Sequence, residues 1–331
     1  MAYRYLTDEN LKNLSKENIK LYDKYLKSSI IKNKDTKETT YKTYKNSFYH
    51  FLVYLENEWD NIGLYSKEFM EDSVDIIEGF ISWSQDKGVN KKAVNNKVVA
   101  ISSFYIWSVK RGLIDTHPFL HKLDRVKGAK EEKIRKSYFL TMEQIIEIRV
   151  AMRYKTNEFD IQDRLLWEIF LDSGNRIGAI SKLPLSRLNI EEGVFEDVRE
   201  KHGKIVDVIF YEKAKSLIKE WLEVRKELDG QEIDSLFITK YRGQWNVMSS
   251  HTIGDRIRKM GRLIGITDLY PHSLRKTSIN LVKKLTGSIE EASEFAGHSG
   301  LTVTKDHYIE PISKKKQKAR IKQLREEKGW N

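Results

Sequence analysis

At 331 residues with 40% apolar content, the chain is long enough for two domains that each bury a core, and too rich in large apolar residues for a disordered polypeptide. The absence of cysteine excludes disulfides and thiolate metal sites, no run of about 18 uncharged apolar residues offers a membrane span, and the opening "MAYRYLTDENLKNLSKENIK" lacks the apolar core of a secretory signal, so a cytoplasmic protein is expected. The net charge of +11, from 59 Lys and Arg against 48 Asp and Glu, fits a polyanionic partner as well as plain solvated surface, so its placement matters more than its size.

In chain order, "TTYKTYKNSFYHFLVYLENEW" is the first predicted helix: Phe48, Phe51, Leu52 and Leu55 fall at i, i+3, i+4 and i+7 and make one buried stripe. "SVDIIEGFISWSQDKG" supplies a second, ending at Lys87-Gly88 as helix C-termini commonly do. A third runs through "AVNNKVVAISSFYIWSV", with Val94, Val98, Ile101 and Tyr105 as its stripe. The "THPF" at 116–119 is expected to stop the helical pattern. Residues 121–136, "HKLDRVKGAKEEKIRK", then hold seven basic and three acidic residues and read as a linker.

A second domain begins near Leu140 with the helix "LTMEQIIEIRVAM", where Thr141 caps and Gln144 closes a capping box. "IQDRLLWEIFLDSG" is another helix. The one sheet signal follows: "GVFEDVRE" and "KIVDVIFY" form a hairpin with its turn near Lys201 to Gly203. Helices are expected again in "EKAKSLIKEWLEVRKEL", "SSHTIGDRIRKMGRLIG", "HSLRKTSINLVKKL" and "SIEEASEFAG". The final residues, 313–331, hold eight basic and two acidic residues, so this tail and the linker together carry ten of the eleven net charges. Cations strung along a linker and a terminal helix suit a polyanion followed over a long contact, because each phosphate neutralised releases counterions. Candidate phosphate contacts are Lys122, Arg125, Lys127, Lys130 and, in the hairpin turn, Lys204.

Four segments of the second half carry polar groups that apolar periodicity does not explain. "DSGNRIGAI" puts Arg176 just past a glycine at a helix break. The hairpin turn offers Lys201, His202 and Lys204. "PHSLRKT" sets His272 and Arg275 three apart on one helical face, and "AGHSGLTVTKDHY" adds His298 and Tyr308. These groups suit attack on a phosphodiester. Arginine forks bind the non-bridging oxygens without losing charge. A tyrosine hydroxyl needs a base or a positive potential to become a nucleophile, and a lysine or histidine can protonate the departing oxygen.

The motifs "HSLRKT" and "AGHS" with a following tyrosine, and "SGNRIGAISKLPLSRLNI" upstream, resemble the tyrosine recombinase (phage integrase) family. Its pattern joins G-x-R before a helix, a hairpin lysine, H-x-x-R, G-H and a tyrosine, and the likeness spans most of the chain. The resemblance implies a mainly α protein with a small antiparallel sheet and two domains. Residues 1–124 would be a SAM-like core-binding domain that clasps DNA, 125–137 a basic linker, and 138–331 the catalytic domain. The tail at 313–331 would dock on a neighbouring protomer of a dimer or tetramer on double-stranded DNA. Carried over, Arg176 and Arg275 become the phosphate clamp, Lys201 the acid for the leaving 5′ hydroxyl in preference to Lys204, and His272 a general acid/base. His298 becomes a phosphate ligand and Tyr308 the nucleophile of a 3′-phosphotyrosyl bond. No metal or other cofactor is implied.

Two positions depart from the family pattern. Its acidic residue three after the first arginine is here Ala179, so that brace is missing, and the interval from His298 to Tyr308 is one residue longer than usual. One residue on a helix is a rotation of roughly 100 degrees, enough to swing the hydroxyl away from a phosphate. An active recombinase is the first reading; an inactive, recombinase-fold DNA-binding regulator of the phage repressor type is the second.

Overall fold

The computed structural model describes residues 6–32, 38–124, 126, 138–200, 204–228, 232–298 and 300–310, together with 318, 321 and 322. Two compact units divide the chain, one within Met1–Lys133 and one within Ile134–Asn331.

The first unit is helical: α1 (Asp8–Lys12), α2 (Lys16–Lys32), α3 (Glu38–Trp59), α4 (Lys67–Glu71), α5 (Ser73–Asp86) and α6 (Lys91–Lys110). The predicted stripes turn inward. Phe48, Phe51, Leu52 and Leu55 of α3 are buried, as are Val94, Ile101 and Tyr105 of α6 and Ile76, Ile77 and Phe80 of α5. Each such side chain contributes about 1.5–3 kcal/mol through removal from water. Helix α2, absent from the periodicity reading, closes the bundle with Tyr22, whose ring stacks on Phe48 at 3.7 Å. Helix α6 stops earlier than the expected "THPF" break: it ends at Lys110, and Gly112 turns the chain with φ +62°. Of the expected linker at 125–137, only Val126 is described, accepting a side-chain hydrogen bond from Asn95.

The second unit is built around α8 (Ile161–Ser173), whose Leu165, Leu166, Trp167, Ile169 and Phe170 are all buried. It follows α7 (Met142–Tyr154), which starts at the predicted capping box of Thr141 and Gln144. After the single turn α9 (Ile177–Ile180) comes a three-stranded antiparallel sheet of β1 (Leu188–Asn189), β2 (Val194–Arg199) and β3 (Ile205–Ile209), in that order. Helix α10 (Glu212–Lys226) leads to a second hairpin, β4 (Ile238–Tyr241) with β5 (Gln244–Val247), so there are two small sheets where one was expected. Helices α11 (Ser250–Arg262), α12 (Pro271–Thr286), α13 (Ile289–Phe295) and α14 (Leu301–Tyr308) complete the unit.

Between Phe195 and Val198 the register of β2 on β3 shifts, and Asp197 adopts φ +52°. This bulge reverses the alternation, so that Phe195, then Val198 and Glu200, point inward. Gly174 ends α8 in the left-handed region (φ +58°), where a Cβ would lie 2.6 Å from the Phe295 ring. Only glycine lets α8 stop there while α13 packs against it.

Candidate active site

Helix α12 is the platform. Ser278 Oγ donates to Leu171 O of α8 at 2.6 Å, and Leu140 N–H donates to Thr277 Oγ1 at 3.0 Å, which fixes the helix against its neighbours. Its first turns carry His272, exposed, and Arg275, 1% exposed. Burying a guanidinium demands acceptors. Arg275 Nη1 donates to Gly174 O at 2.5 Å, and Nη2 donates to Ala296 O at 2.8 Å and meets His298 Nε2 at 2.9 Å. Nε is buried and bonds to no described group. The left-handed cap at Gly174 therefore has a second use, since it aims a carbonyl at the arginine two residues before Arg176 begins α9.

Arginine can only donate, so His298 Nε2 must accept, and the ring proton resides on Nδ1, which reaches Thr304 Oγ1 at 2.7 Å. This tautomer requires a neutral ring, and the surroundings enforce it. Burial, then Arg275, Arg176, Lys204 and His272, push the His298 pKa down to about 4. His272 is likewise lowered to about 4, by desolvation and then by Lys276, Arg275, Arg176 and His307. Burial and Arg176 also hold the Arg275 guanidinium below its usual range, opposed by the Tyr308 hydroxyl and by Glu200. The two arginines thus sense one another, and one pocket gathers positive potential from three separate segments.

Tyr308 closes that pocket. It is the last residue of α14, 6% exposed, and its ring lies 4.5 Å from the His298 ring, 5.1 Å from the His272 ring and 5.3 Å from Arg275 Cζ. The longer interval from His298 is absorbed by α14, whose Thr304 anchors His298 one turn before Tyr308. Beyond the tyrosine, Glu310 N–H donates to Asn280 Oδ1 at 3.2 Å and its carboxylate pairs with Lys284 at 3.3 Å, pinning the chain to α12. Arg176 is partly exposed and pairs with Glu200 at 2.9 Å.

The structure brings together Arg176, His272, Arg275, His298 and Tyr308, and with them the candidate DNA contact Lys204, whose Nζ donates to Gly297 O at 2.6 Å beside His298. Lys201, Arg125, Lys127 and Lys130 lie outside the described residues. Lys122 is exposed in the first unit. Sequence reasoning missed Glu200, Thr304 and Lys276. Lys276 was within reach of it, one turn after His272 in the same motif; nothing in the sequence singles out the other two.

A model described as the phage integrase family matches residues 138–327. The tyrosine recombinase XerC of Thermodesulfovibrio yellowstonii is 28% identical over 273 residues, 80% of this chain and 83% of that protein. XerC of Xylella fastidiosa (strain M23) is 24% identical over 69% of this chain and 73% of that one. Among solved structures, a lambda integrase dimer bound to a COC′ core site superposes with TM-score 0.62 at 18% identity, covering 89% of this chain and 99% of that one. The Tn1549 transposon integrase in complex with circular intermediate DNA gives TM-score 0.61 at 18% identity, covering 93% and 99%. These likenesses establish a two-domain recombinase fold. The chain belongs to the phage integrase family.

Proposed function

We propose that the protein is a site-specific tyrosine recombinase that cuts and rejoins double-stranded DNA in the cytoplasm through Tyr308. Tyr308 Oη attacks the scissile phosphorus, the P–O5′ bond breaks, and a 3′-phosphotyrosyl bond forms. Neutral His272 takes the phenolic proton, and Lys201 gives a proton to the departing 5′ oxygen. Arg176 and Arg275 hold the non-bridging oxygens as charge builds on them, and His298 supports the same phosphate. Because the covalent link stores the energy of the broken one, attack by a new 5′ hydroxyl rejoins the strand with no nucleotide hydrolysis.

The observation that carries this reading is the packing of the Tyr308 ring against two histidine rings and a buried arginine. Buried arginines are seldom placed for stability alone. The first unit and the basic segment with Lys122, Arg125, Lys127 and Lys130 would follow the DNA backbone, and the tail at 313–331 would join protomers.

A duplex nicked next to the crossover point traps the covalent intermediate, because the short cleaved piece diffuses away. The wild type should accumulate protein–DNA adduct and Tyr308→Phe none, with equal DNA binding. Tight binding without adduct in the wild type would instead support a regulator.

A further inference from the structure

Arg176 is held by a carboxylate that none of the motifs contains. Glu200 directly follows β2. Its side chain is 3% exposed against 43% for Arg176, and its Oε2 accepts from Arg176 Nη1 at 2.9 Å. Among the described residues, Arg176 has no other side-chain hydrogen bond, and Glu200 Oε1 is buried without a donor. A buried carboxylate satisfied on one oxygen is costly to keep, which argues for a geometrical duty over a stabilising one. The backbone of the same residue closes the base of the hairpin. Glu200 N–H donates to Lys204 O at 2.7 Å, and Lys204 Nζ reaches Gly297 O beside His298. The end of one strand therefore ties the arginine segment to the histidine segment.

The position that the family reserves for an acid, three residues after the arginine, is filled by Ala179, which has no exposed surface and sits in the apolar core. A carboxylate there would be stranded. The bulge at Asp197 turns position 200 inward instead and brings a negative charge to Arg176 from the neighbouring strand.

We propose that Glu200 is a positioning residue for strand cleavage: its buried carboxylate fixes the Arg176 guanidinium through Nη1 and leaves the remaining N–H groups for the scissile phosphate. The inference rests on the proposed function. Glu200 touches no substrate and acts through Arg176.

Two measurements test it. The first is adduct formation on the nicked duplex by wild type, Glu200→Gln and Glu200→Ala, each with an ordinary scissile phosphate and with a methylphosphonate there, in which a neutral methyl replaces one charged oxygen. Misplacing one clamp group should slow cleavage of the ordinary phosphate about tenfold in Glu200→Gln and about 100-fold in Glu200→Ala. DNA affinity should stay within about threefold, since one phosphate contact is a small part of a long interface. On the methylphosphonate, which needs its cation less, the deficit should shrink to about threefold or less. No deficit, or an equal deficit on both substrates as general misfolding would give, overturns the proposal.

The second measurement does not depend on activity. Crystal structures of wild type and Glu200→Ala should differ by about 1 Å or more at the Arg176 guanidinium, a shift large enough to matter for catalysis. An unmoved guanidinium overturns the proposal whatever the rates. If the wild type forms no adduct but Arg176 does move, the function reading fails and the hold of Glu200 on Arg176 stands.

Discussion

The two units bury different kinds of side chain. Among the described residues, the buried charged ones (Asp163, Glu168, Glu200, Arg225, Arg275 and Lys276) all lie in the second unit. The first encloses touching aromatic rings: Tyr22 on Phe48 at 3.7 Å, Phe48 to Phe104 at 5.2 Å, Phe104 to Tyr105 at 5.0 Å. An apolar interior is specified by size and shape and tolerates exchange among similar volumes. A buried charge must be matched group by group, and a lost partner leaves another polar atom stranded. The second unit, which holds these buried charges, therefore carries a fragility the first is spared.

The largest expected effect is at Arg275. Arg275→Ala should cut adduct formation by about 100- to 1,000-fold, by removing a proposed stabiliser of the phosphate charge. It should also destabilise the second unit by about 2–4 kcal/mol, because Gly174 O, Ala296 O and His298 Nε2 lose their donor together. DNA affinity should hold within about threefold. Cleavage, thermal unfolding and titration of DNA binding check the three parts, and complete loss of binding would contradict the assigned role.

The apolar counterpart is Phe48→Ala. It should cost about 3–5 kcal/mol, from lost transfer energy and the cavity left among Tyr22, Phe51 and Phe104. Hydrogen exchange should show lost protection in α3 and α6 with α8 and α12 unchanged. Equal loss in both units would break the distinction between two separate cores.

The smallest effect is on pH dependence. His272 and His298 are lowered to about 4 from an ordinary 6.5, so both stay neutral in the folded protein well below pH 6. In the unfolded chain they take up protons near 6.5. The folded state therefore binds fewer protons between pH 6.5 and 4; its stability is full above that window and declines as pH falls through it. Cleavage by the free enzyme should be level from pH 8 to 6 and fall as pH approaches 4. Histidine signals followed by NMR would check this, and a midpoint near 6.5 for His298 would mean the pocket is open.

Much of this was legible in the sequence, and the exceptions have physical causes. The stripes of α3 and α6 follow from a 3.6-residue period that no other force contests, and the Thr141–Gln144 box sits where its residues predict. Arg176, His272, Arg275, His298 and Tyr308, which the structure brings together, stand out in the sequence because each lies in a motif of unusual polarity. The β4–β5 hairpin was missed because its strands are mostly exposed and its turn is Arg242-Gly243, both at positive φ; the mirror-image turn is normally signalled by Asn or Asp before glycine. Glu200 was hidden because strict alternation from Phe195 points it outward, and only the bulge at Asp197 reverses that parity. Thr304 stands in a segment for which the sequence predicts no element, and only α14 places it on His298 Nδ1.

Convergence on one phosphate is tested most directly by a crystal structure of the protein on its own DNA site with Tyr308→Phe to hold the strand uncut. Non-bridging oxygens of a single phosphate should lie within hydrogen-bonding distance of both Arg176 and Arg275, with the ring at position 308 facing the phosphorus. Guanidinium groups bound to different phosphates, or Arg176 turned away from the DNA, would contradict it.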